Sequence, residues 1–324
     1  IAGRSAIKVT PLGICAMREA AQRDHNGELE EHGFRRGVGY NLLDLAHTEA
    51  AAGETFIVSP LPGTTPITSI GTLGPFFCTG TMAMTRLTGG GKVAVSSPFP
   101  IGSLYQHLNS RFGLYNAAIT APCDNRTAPS DINIMEYNTS VTGTPWMAVR
   151  PQGQSAKLLL AEGRRWNVAG PDTAPEDTTA AQFGPLWSFA RAVPYSAYEA
   201  GEPEPAAGYP TYDTTAWETL YAPGKPTTST TTHYPSAAAT PTPYSYTSGD
   251  VFYKPPLSNS NRFVRNRRVL NLPLLTCPVS EGKATVLGIG RFFMTVPATS
   301  TSLYGEFAGL VPDQALGTQV VLYP

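Results

Sequence analysis

Apolar positions are densest in the last quarter of the chain. Two runs there, Arg268 to Cys277 and Ala284 to Val296, are rich in β-branched and aromatic residues. Ser280-Glu281-Gly282-Lys283 between them is a turn sequence, so the pair predicts a hairpin. Both faces of Ala284 to Val296 carry apolar groups, which predicts a central strand covered on each side. Leu303 to Val311 and Gly317 to Tyr323 follow as further extended runs. Upstream, residues 6 to 15 read as a strand interrupted by Pro11, and Glu54 to Pro62 and Phe76 to Leu87 read as two more. Gly37 and Gly39 beside an aromatic fit a tight bend leading into a short strand.

Helical spacing is scarce. Leu104, His107, Leu108 and Arg111 repeat at three-to-four intervals, and Pro100 with Ser103 supply a start, so Ser103 to Phe112 predicts a short helix. Thr178 to Val193 is a second candidate, broken or delayed at Pro185. Arg18 to Arg36 is the one charge-rich stretch and reads as a solvated polar loop. From about Tyr195 to Leu257 the composition turns to Pro, Tyr, Thr, Ser and Ala, including the run Thr227 to Thr232. With few large aliphatics it cannot offset its own ordering entropy, so residues 195–257 predict an extended, irregular excursion pinned to a folded body by its tyrosines. The alternative is a linker. The expected architecture is mainly β with a few short helices (α+β), mixed or antiparallel sheets, and one β-rich body over residues 1–324.

Composition narrows the function. The chain has 324 residues, 31 glycines, 30 prolines and only 15% charged positions, with 23 Lys+Arg against 24 Asp+Glu. Such a balance lacks the basic footprint of a nucleic-acid binder. The one basic cluster, Arg262, Arg265, Arg267 and Arg268, is flanked by apolar runs and reads as the edge of a strand. No stretch approaches the ~20 apolar residues of a membrane helix. The chain opens on Ile1 rather than Met, so an upstream segment is expected, and contact with a membrane only through it.

Four cysteines, Cys15, Cys78, Cys123 and Cys277, form no CxxC pair and allow three disulfide connectivities. We favour Cys15 with Cys277 and Cys78 with Cys123, because Pro11 to Cys15 and Pro273 to Cys277 are similar extended runs that could lie side by side. The other reading is four buried thiols in a cytosolic protein.

Catalytic patterns are weak. No Gly-x-Ser-x-Gly elbow or Gly-x-Gly-x-x-Gly fingerprint occurs, and the glycines of residues 89 to 91 lack the flanking residues of a phosphate loop. His25, Glu28 and His32 could share a helical face and a metal, although Gly27 and Gly33 interrupt it. Asp131, Glu136, Asp172, Glu176 and Asp177 are candidate glycosidase acids that read equally as scattered surface carboxylates. His107 reads as packed or surface-lying. No catalytic residue, metal ligand or cofactor is expected.

Several words of the sequence carry a resemblance. Arg4 to Met17 (RSAIKVTPLGICAM), Leu108 to Tyr115 (LNSRFGLY), Pro129 to Asn133 (PSDIN) and Arg267 to Asp313 are similar to the C-terminal region of TadG-like proteins of the Flp/Tad pilus-assembly system. Gly288 to Met294 and Gly305-Glu306-Phe307 carry most of it. The resemblance implies export with a pilus machinery, and partners that are other pilus or filament subunits, with self-association possible. The Asp-x-Ser-x-Ser adhesion motif of some family members does not occur here. The expectation is a non-enzymatic structural or assembly component of a bacterial surface filament, located outside the cell or in the periplasm during assembly. Two other readings stay open: an adhesin or carbohydrate-binding module using Trp146, Trp166, Trp187 or Trp217, and a secreted hydrolase.

Overall fold

A computed structural model describes residues 4–5, 8–23, 29–36, 39–43, 45, 55–60, 67–82, 91–136, 158–161, 165–168, 189–190, 193–202, 253–257, 262–312 and 318–319. The strands are β1 (Arg4–Ser5), β2 (Leu12–Cys15), β3 (Gln22–Arg23), β4 (Leu29–Glu31), β5 (Phe34–Arg35), β6 (Gly39–Asn41) and β7 (Thr55–Val58). They continue as β8 (Lys92–Ser96), β9 (Leu158–Ala161), β10 (Arg165–Val168), β11 (Val269–Leu275), β12 (Lys283–Met294), β13 (Tyr304–Leu310) and β14 (Thr318–Gln319). The helices are α1 (Ile70–Thr79), α2 (Ile101–Leu108) and α3 (Tyr195–Glu199), and a 3-10 turn, Asn109–Phe112, continues α2. The protein is mainly β with few, short helices.

The principal sheet is seven-stranded, in the order β11-β2-β7-β8-β12-β13-β6, and β11 also pairs with β12. That second pairing closes β11, β2, β7, β8 and β12 into a barrel-like ring, a way for a sheet to remove its edges. The closure depends on β12. Its first residues pair with β8 (Lys283 opposite Ala94), its last with β13 (Met294 opposite Gly305), and the stretch from Val286 to Phe293 with β11. The hairpin and the central strand are therefore both present. The β2–β11 pair is parallel, with Ile14 beside Leu274 and Cys15 beside Leu275, while the other pairings of this sheet are antiparallel.

Alternation along β2 divides the core. Leu12 and Ile14 join one cluster with Leu270, Leu272, Leu274, Phe292, Leu104 and Phe77, whereas Cys15 joins a second with Phe56, Val58, Val95, Leu275 and Val286. The second cluster draws on all five ring strands and so fills the ring, as the two-residue side-chain period requires. Gly13 points the same way as Cys15: a Cβ there would stand 2.6 Å from Leu275 Cδ1 and 2.8 Å from Val58 Cγ2. A glycine is needed for β2 to approach its neighbours. The first cluster is larger and lies between the sheet and the pair α1 and α2.

Three expectations change. Phe76 to Leu87 is not a strand where it is described: its start belongs to α1, which begins after Ser69 and ends at Gly80, φ 67°. Leu73 and Phe77, four residues apart, bury one face of α1 in the larger cluster, and this packing outweighs the missing N–H of Pro75. Residues 83–87 lie outside the described residues. The charge-rich stretch is also not a solvated loop: β3, β4 and β5 form an antiparallel sheet with Glu30, Glu31, Arg35 and Arg36 buried. Pairing makes this tolerable, since Arg36 Nε donates to Glu31 at 2.7 Å and Arg18 Nε stands 3.0 Å from Glu30. Finally, the excursion begins as helix, because Tyr195–Glu199 forms α3. Its residues 203–252 and 178–188 of the second helix candidate lie outside the described residues.

Candidate functional site

The densest chemistry in the described residues is a group of buried arginines at the end of α1. The last carbonyls of a helix have no partner within it and carry the negative end of its dipole. Here guanidinium groups take them: Arg111 Nη1 donates to Phe77 O at 2.8 Å, Arg267 Nη2 to Cys78 O at 2.7 Å and Arg267 Nη1 to Thr79 O at 2.8 Å. Gly80 closes the helix in the left-handed region, and a Cβ there would stand 2.7 Å from Arg111 Nη2. Both its φ and its proximity to Arg111 require glycine.

Arg268 binds main chain on two sides. Its Nε donates to Met294 O and its Nη2 to Thr295 O, both at 2.9 Å, while Nη1 donates to Met135 O at 2.8 Å and Asn133 O at 3.2 Å. The guanidinium lies between the Phe112 and Phe293 rings, 4.5 and 4.4 Å from their centroids. The PSDIN segment is the joint: Asp131 Oδ2 accepts the Arg268 N–H at 2.9 Å, and Asn133 Oδ1 accepts the N–H groups of Met135 and Lys254. Arg267 Nε adds a bond to Pro129 O at 2.8 Å.

Burial shapes the local electrostatics. It holds the Arg111 guanidinium well below its usual range, and the nearby Arg267 charge adds to this. Arg267 is lowered by the same burial, against the opposing influence of Tyr115 and Asp131. The Tyr115 hydroxyl, which donates to Ala128 O at 2.8 Å, is pushed up to about 12, mainly by burial.

Two disulfides fasten the frame. Cys15 bonds Cys277, joining β2 to the residues after β11, and Cys78 bonds Cys123, joining α1 to the segment after α2. Pro11 to Cys15 and Pro273 to Cys277 do run side by side, as parallel neighbours. Near the second bridge, buried His107 meets Thr120 O through Nε2 at 2.9 Å; a carbonyl only accepts, so Nε2 carries the proton.

The remaining candidates fall elsewhere. Asp131 is fully buried and its oxygens accept main-chain N–H groups, so it is not a surface acid. Glu136 is half-buried, and Asp172, Glu176 and Asp177 lie outside the described residues. So do His25 and Glu28, while His32 Nδ1 stands 3.2 Å from Arg18 O. Among the described residues no cluster of three His, Cys, Asp or Glu could hold a metal. The side chains of Trp146, Trp166, Trp187 and Trp217 are outside the described residues. The arginine group was missed by the strand-edge reading; its signal is the adjacent pair Arg267-Arg268 opening the most apolar strand region of the chain.

Two outcomes follow from this geometry. The Cys15–Cys277 bridge spans 262 positions and the Cys78–Cys123 bridge 45. Chain entropy then assigns them roughly 5–6 and about 4 kcal/mol. In denaturant unfolding, Cys15→Ala/Cys277→Ala is expected to lose more stability than Cys78→Ala/Cys123→Ala. Tyr115 gives a pH signature: burial raises its hydroxyl above the ordinary tyrosine value of 10.0, so its contribution is intact below pH 10 and is lost as pH rises toward about 12. Unfolding followed from pH 9 to 12 is expected to show an alkaline decline that is shallower in Tyr115→Phe.

No known family model, curated protein or solved structure matches the chain.

Proposed function

We propose that this chain is a non-enzymatic structural or assembly component of a bacterial surface filament, of the TadG-like kind that its sequence resembles. The observation that carries the reading is how the described polar core is used. Asp131, His107, Arg111, Arg267 and Arg268 direct their bonds at the chain's own main chain, which makes a stiff frame. A subunit that transmits load or holds a fixed docking geometry benefits from such a frame.

The two disulfides suit an oxidising compartment, extracellular or periplasmic. No described helix is long and apolar enough to cross a membrane. Export to the bacterial surface and association with filament subunits or further copies of this chain complete the proposal.

Sedimentation velocity across a dilution series tests it. Species larger than the monomer are expected to grow with concentration, and a single monomeric boundary at the highest concentration reached would contradict the reading.

A further inference from the structure

Arg111 is a buried cation that the chain serves on one edge only. It is 1% exposed, and the two bonds described for its guanidinium, to Phe77 O at 2.8 Å and Leu108 O at 3.2 Å, both leave from Nη1. Its Nε is buried and has no hydrogen-bond partner. Nε and Nη2 together form one edge of the planar fork, whose parallel N–H groups fit an anion side-on. Arg267 and Arg268 differ, because each bonds main chain through Nε and both Nη atoms.

The surroundings are polar and positive. The three atoms nearest a Cβ built on Gly80 are Arg111 Nη2 at 2.7 Å, Thr10 Oγ1 at 3.6 Å and Arg267 Nη1 at 3.7 Å, so three side chains able to donate converge on a residue that must lack one. The charge acting on Arg111 is that of Arg267, a like one, and with burial it holds the guanidinium well below its usual range. None of the bonds described for either side chain goes to a carboxylate. Asp131, whose charge bears on Arg267, accepts the N–H groups of Asn133 and Arg268 instead. A buried charge is tolerated when it is paired and its donors are met. Here the main chain meets Nη1, and the opposite edge calls for negative charge.

We propose that Arg111 Nε and Nη2, with the Thr10 hydroxyl, hold a single chloride ion beside the end of α1. Size and charge select the ligand class. Arg111 and Thr10 are each 1% exposed, and a bulky, multiply charged oxyanion would bring more oxygens than this edge has donors. A monatomic anion accepts from several N–H and O–H groups at once. The last carbonyls of α1 do not oppose it, since Arg111 Nη1 and Arg267 already bond them. The ion binds the folded chain alone, where these groups converge, and so stabilises it by mass action. This inference stands apart from the filament reading.

Urea unfolding of the full chain tests it, with chloride replacing gluconate at one ionic strength so that screening stays constant. Above the dissociation constant, the unfolding equilibrium constant is expected to fall about tenfold for each tenfold rise in chloride. Arg111→Lys keeps the charge without the fork and is expected to lose this dependence, and Thr10→Val, which removes the hydroxyl, is expected to weaken it. Crystals of the native chain grown in bromide give a readout that requires no variant to fold: an anomalous peak is expected within hydrogen-bond distance of Arg111 Nε and Nη2. Equal unfolding in chloride and gluconate, bromide peaks only at other places, or a chloride dependence retained in Arg111→Lys would overturn the assignment. Stabilisation by sulfate and not by chloride would overturn it as well.

Discussion

The fold depends on the bonds from buried guanidinium groups to main-chain carbonyls, above all those of Arg268. Four of its bonds tie the end of β12 and the residue after it to the segment Asn133–Met135, and two phenylalanine rings cover its faces. Taking an arginine out of water costs several kcal/mol unless its donors are met. The planar fork of the side chain meets this cost by spreading its donors over carbonyls that have lost water as well. Each side of the arrangement needs the other.

This constraint explains how an irregular segment can serve as structure. Residues 109–136 contain a 3-10 turn, several bends and few regular bonds, and such a stretch would expose unpaired carbonyls if it were simply laid on a core. Arg267, Arg268 and Arg111 instead collect carbonyls from α1, from Pro129 and from Asn133 and Met135. The Cys78–Cys123 bridge closes the same region covalently. The ring of five strands has its own smaller apolar filling and the Cys15–Cys277 bridge at its wall. Each of these elements is thus tied to several others by bonds that cross between them.

Much of the β framework was legible because its signals are local. The turn Ser280 to Lys283 and the apolar runs beside it specify β11 and β12, and the three-to-four spacing of Leu104, His107 and Leu108 specifies α2. The likeness of Pro11 to Cys15 and Pro273 to Cys277 corresponds to a pair of neighbouring strands. What escaped was decided by distant partners. Glu31 and Arg36 look like surface residues until β4 and β5 place them together, and Phe77 looks like a strand residue until α1 and α2 share one core face. The polar core escaped for the same reason: a guanidinium that binds main chain leaves no pattern of residue types to read, and only Arg267-Arg268 ahead of β11 hints at it.

The most direct measurement of this account is urea unfolding of Arg268→Lys. Lysine keeps the charge but offers one compact ammonium in place of the fork, so it cannot reach carbonyls on both sides. The account expects a loss of about 3–5 kcal/mol with little change in the dependence on urea, because buried main-chain acceptors are left unmet. A loss under about 0.5 kcal/mol, the size of an ordinary surface substitution, would contradict it.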